Sequence, residues 1–135
     1  MELSADSRTT AGVLLLAIVA VEYGGTYVLR VVRGRVPATP FQVSFARAGH
    51  AHAAVLVTLA LVCQLLVDAT SLTGPTASVA RSGVPVAAIL MPAGFFLSSA
   101  GRGASRPNRL IVLLYAGAVV LAAGVVSLGI GLLAA

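Results

Sequence analysis

The chain has 135 residues, of which 59% are hydrophobic and 10% charged, against roughly 45–50% and about 25% in soluble globular domains. So short a chain cannot hide that much apolar surface from water, and disorder needs the opposite composition; a soluble domain and an unfolded chain are both excluded, leaving an integral membrane protein. Nine basic residues, all arginine, against four acids give a net charge of +5; because most of them flank apolar runs, they read as topology signals and lipid-headgroup contacts, with no nucleic acid as partner.

Residues 1–10 carry Glu2, Asp6 and Arg8 and lack the basic start and small-residue cleavage site of a secretory signal. The first apolar run, 11–32, therefore reads as a retained helix. Further runs lie at 41–68, 84–100 and 110–133. A helix needs about 20 residues to cross the hydrocarbon core, and none of the runs alternates as barrel strands do. The expectation is one all-α domain over 1–135, a bundle of four transmembrane helices.

The connections set the expected orientation. The first holds Arg33 and Arg35 with Arg30 and Arg47 at its edges, the third holds Arg102, Arg106 and Arg109, and the second holds Arg81 alone with Asp68 at its start. The positive-inside rule places the first and third in the cytoplasm and both termini outside, in a multi-pass inner-membrane protein.

Small residues and prolines suggest how the helices pack. Ala123, Ser127 and Gly131 form a stripe at i, i+4, i+8, suited to a neighbour inside the bundle or to a second copy in a homo-oligomer. Pro92 should kink the third helix, with Ser98 and Ser99 helping to satisfy the freed carbonyls. Cys63 stands alone, which excludes an intrachain disulfide and a CxxC motif.

Glu22 is the residue most in need of an explanation, because a carboxylate at mid-membrane is costly unless paired, hydrated or protonated. It reads as a proton-binding, cation-binding or catalytic group, or as a register-fixing one. Arg47, His50 and His52 in the second run are its candidate partners. At 1.5 Å per residue, Glu22 lies roughly 13 Å inside a boundary near Val31; if the second helix starts at Phe41, His50 lies roughly 13 Å inside and Arg47 roughly 9 Å. A start near Arg47 would break that match. His50 and His52 lie about 200° apart on a helix, which disfavours a shared metal, and a bis-histidine haem would need a second chain. No cofactor or metal is therefore expected. Tyr23 and Tyr27, an i, i+4 pair, are candidate ligand-binding residues beside Arg47 and His52, with Glu22 and His50 as the proton-exchanging pair.

The size, the four-span layout and the His-bearing second span are similar to small bacterial membrane families such as hydroxylaminobenzene mutase; the similarity is one of layout and carries no residue over. The leading expectation is an intramembrane pocket that binds or transforms a small apolar or aromatic molecule. An oligomeric proton-coupled transporter or channel and an accessory subunit of a respiratory complex are the alternatives. Whether the chain is an enzyme stays open.

Overall fold

The computed structural model describes residues 2–135. Among them are four long helices, α1 (Ala5–Val32), α2 (Pro40–Val67), α3 (Gly74–Ser98) and α4 (Val112–Leu133), the last preceded by a short 3-10 turn at Arg109–Ile111. All four are long and apolar enough to cross a membrane, and no strand occurs among the described residues. Four such helices indicate a multi-pass membrane protein.

Local chemistry sets the helix ends. The Ser4 hydroxyl accepts from the Ser7 amide and starts α1, six residues ahead of the apolar run. Thr39 and Gln42 form a reciprocal capping box at the start of α2, with Pro40 at its first position; each satisfies a donor that a helix start leaves free. The largest departure from expectation is α3. It begins at Gly74, not at residue 84, so Arg81 is a helical residue and not part of a loop. Hydropathy alone misplaces this boundary because the first turns of α3 carry Gly, Pro, Thr and Ser residues with Arg81 and are stabilised by tertiary contacts.

The helices form a row in chain order: α1 packs on α2, α2 on α3, and α3 on α4. The α3–α4 contact is the tightest, and glycine makes it possible. A methyl group added at Gly83 would lie 2.6 Å from the Gly124 Cα, and one at Gly94 would lie 2.4 Å from the Leu114 amide nitrogen. Gly117 is pressed against Met91 and Gly131 against Leu72, so the glycines of α4 that serve packing recur every seven residues. Of the stripe expected to join two copies, Gly131 is thus occupied within the chain, Ser127 is half-buried and Ala123 is exposed.

Two prolines lie inside α3, which runs unbroken through both. Pro85 has no amide proton, so the carbonyl four residues back, that of Arg81, loses its helical partner. The Gln64 side chain of α2 replaces it, its Nε2 donating to the Arg81 carbonyl at 3.0 Å. Gln64 is fully buried. The helpers expected beside Pro92 act elsewhere: Ser98 and Ser99 donate to the carbonyls of Phe95 and Phe96 at the end of the helix.

Two measurements test this packing. Gln64→Leu orphans the Arg81 carbonyl and should destabilise the fold by about 1–3 kcal/mol in reversible unfolding from mixed micelles. Gly124→Val should lower the melting temperature sharply. Gly129→Val should leave it nearly unchanged, because a methyl group at Gly129 meets nothing within 4 Å.

Candidate functional site

Because α1 packs along α2 and stands off α3, the three helices enclose a groove of about 410 Å³. Small residues from each helix line it, among them Ala17 and Gly24 of α1, Ala53 of α2 and Ala88 of α3. The lining is almost wholly apolar. His50 is the one titratable side chain in it, and Thr10 at the far end is the other polar one. The His50 ring lies against Gly25, where an added methyl group would sit 3.2 Å from both Cε1 and Nε2. Gly25 is therefore the position on α1 that lets the imidazole in.

The depth question raised by the sequence is answered by this contact. The second helix starts early, at Pro40, so His50 sits well within the span and meets α1 one turn from Glu22. It does not bring Glu22 into the groove. At roughly 100° per residue, Glu22 lies about 60° round α1 from Gly25, on the side away from Gly24 and Val21, which line the groove. Arg47 is displaced in the same sense on α2, away from Ala53. Both side chains are exposed, on the back of the α1–α2 seam.

They also diverge along the axis. Side chains tilt toward the N-terminus of their own helix, and α1 and α2 run antiparallel, so Glu22 leans toward one end of the bundle and Arg47 toward the other. Among the described residues the one ion pair lies elsewhere, between Arg81 and Asp68. Tyr23 is 80% exposed. Tyr27 is half-turned inward and lines a second cavity of about 390 Å³ with Gln42, Ala46, Phe96 and Ser99. His52 faces away from His50: its Nδ1 bonds the Ala48 carbonyl at 2.8 Å and its ring packs 4.8 Å from that of Phe95. No three His, Cys, Asp or Glu residues converge as a metal site among the described residues.

A polar cluster that sequence reasoning did not assemble lies at the end of the bundle holding the N-terminus. The Arg81 guanidinium contacts Asp68 at 3.1 Å, Ser4 Oγ at 3.2 Å and the Ser7 hydroxyl. Asp68 in turn accepts from the Ser4 amide at 2.8 Å and the Ser4 hydroxyl at 3.0 Å. The Asp68 side chain is 7% exposed and Ser7 is fully buried. Burial raises the Asp68 pKa, but the Ser4 amide and the side chains of Ser7, Arg81 and Ser4 outweigh it and hold the carboxyl below its usual range. The signal available in sequence was one opposite-charge pair, Asp68 and Arg81, bracketing a short connection between two spans.

At the opposite end, polar contacts join the first and third connections. Gln42 Nε2 donates to the carbonyls of Ser99 at 3.0 Å and Gly101 at 2.8 Å, and Thr39 donates to that of Ala104. Asn108 binds back to the end of α3 through its amide and its side chain.

The Arg81 cluster makes a mutational prediction and a pH prediction. Arg81→Ala leaves a largely buried carboxylate short of donors and should cost about 1–3 kcal/mol, and the Arg81→Ala/Asp68→Ala pair should cost less than the sum of the two. Because the folded Asp68 pKa is lowered, its contribution is complete above about pH 4 and is lost as pH falls through the folded value. Thermal stability of the wild type should therefore drop further on acidification below pH 4 than that of Asp68→Asn.

No family model, no curated protein and no solved structure matches this chain.

Proposed function

We propose that the protein spans the inner membrane with its arginine-rich end in the cytoplasm and binds a small apolar or aromatic molecule in the groove between α1 and α3. The observation that carries this reading is His50. It is a titratable side chain in an almost wholly apolar groove of about 410 Å³, within the roughly 300–1,000 Å³ of small-molecule sites. A few polar groups in an apolar lining are what such sites use to orient a ligand. His50 offers a hydrogen bond to a hydroxyl, carbonyl or amine on a ligand whose remaining surface the alanines and Phe96 cover. The geometry supports binding over acid–base chemistry, since Glu22 faces away from the groove and leaves His50 without a second titratable group there.

The exposed Glu22 favours a second reading, the oligomeric proton-coupled transporter, in which another copy would cover the carboxyl.

The fluorescent arylamine 1-aminoanthracene, titrated into protein in phosphatidylcholine nanodiscs, tests the first reading. Saturable binding is expected. Ala53→Phe, which fills the groove, should weaken it at least tenfold. His50→Leu, which removes one hydrogen bond, should weaken it about fivefold, and Glu22→Gln should leave it unchanged. Wild-type affinity in Ala53→Phe would rule the groove out as the site. Proton flux in liposomes that is abolished by Glu22→Gln would favour transport instead.

A further inference from the structure

Two further cavities follow the groove toward the arginine-rich end. Phe96 lines both the groove and the cavity beside Tyr27. That second cavity shares Pro37, Ala38, Gln42 and Gly101 with a third, of about 460 Å³, which Arg102 also lines. The three lie in succession along the bundle, adjoining at Phe96 and at Pro37, Ala38, Gln42 and Gly101, and the track they mark is almost wholly apolar near Thr10 and more polar toward the arginine-rich end.

The chemistry changes along this track. Beside α1 the apolar part runs from Thr10 to Gly24, roughly 21 Å at 1.5 Å per residue. At the polar mouth the uncharged donors are already engaged, Gln42 with Ser99 and Gly101 and Thr39 with Ala104. Arg102 is exposed there and is the cation among the residues lining the mouth. No acid neutralises this end. Glu2, Asp6 and Asp68 belong to the opposite end and Glu22 to the middle of α1, while Arg30, Arg33, Arg35, Arg47, Arg106 and Arg109 lie on the same side as Arg102. An uncompensated positive field over a low-dielectric cleft attracts and holds an anion.

From this gradient we infer that the occupant is an anionic single-chain amphiphile, a long-chain carboxylate in chemical class. Its acid group is held by Arg102 at the mouth, its alkyl chain runs past Phe96 into the groove, and a polar group carried on the chain meets His50. An alkyl chain suits this lining, since Ala17, Gly24, Ala53 and Ala88 on three helices leave an apolar space between them. The guanidinium gives a carboxylate a charge-assisted, two-pronged hydrogen bond. This assignment rests on the groove reading above and names its ligand class.

Dansylundecanoic acid and its methyl ester share a chain and a fluorophore and differ only in charge. Their binding should be compared in phosphatidylcholine nanodiscs at pH 8 and low salt. The acid is expected to bind about tenfold tighter than the ester. Arg102→Gln, an exposed loop change, should remove most of that preference and leave ester binding alone. Equal binding of acid and ester, or an acid affinity indifferent to Arg102→Gln, would overturn the assignment while leaving the groove itself in place. Ala17→Phe should weaken both ligands; if it weakens neither, the groove reading fails as well. Replacing part of the phosphatidylcholine with phosphatidylglycerol should displace little of the acid, and strong displacement would identify the occupant as a bilayer lipid and refute the single-chain form.

Discussion

Arg81 is the residue on which three helices converge. Its guanidinium binds Asp68 at the end of α2 and Ser4 and Ser7 at the start of α1. Its backbone carbonyl, freed by Pro85 one turn on, is taken by Gln64 of α2. In hydrocarbon an unsatisfied backbone group has no water to fall back on. The proline is tolerated because a buried amide from the neighbouring helix stands in for the missing bond. Without these contacts, hydrocarbon alone would give α1 little reason to associate with its neighbours, since lipid tails are as apolar as the side chains it presents.

That constraint accounts for the asymmetry of the bundle. On one side, α3 meets α4 at backbone distance through Gly83, Gly94, Gly117 and Gly124. On the other, α1 is held at one end by the Arg81 cluster and part-way along by the His50–Gly25 contact, and between α1 and α3 the space stays open. The groove is thus a consequence of where small residues and polar ties are placed. The contact that fixes His50 in the groove also sets the depth of α1 against α2.

The fold was largely legible in the linear sequence, and the site only partly. Four apolar runs marked four helices, and the expected ends of α2 came within a residue of the observed Pro40 and Val67. The start of α3 was missed because its first turns draw on Arg81 and its partners, which a hydropathy window counts as a break. Helical spacing separated His50 from His52, and both lie where a 200° difference puts them, one against α1 and one against Phe95. Depth arithmetic brought Glu22, Arg47 and His50 to neighbouring levels. It carried no knowledge of rotation about each helix, and rotation turns Glu22 and Arg47 to the back of the seam while His50 faces the groove.

The sequence by itself determined the number of spans, the arginine-rich end and, given a start of α2 near Phe41, the level of Glu22 against His50. All three follow from one-dimensional quantities: hydrophobic length, charge position and a fixed rise per residue. Only the tertiary structure decided which faces meet. Azimuth depends on where a glycine lets a ring or a backbone approach, and on which amide reaches a proline-freed carbonyl, and both are properties of pairs of helices that no single helix encodes.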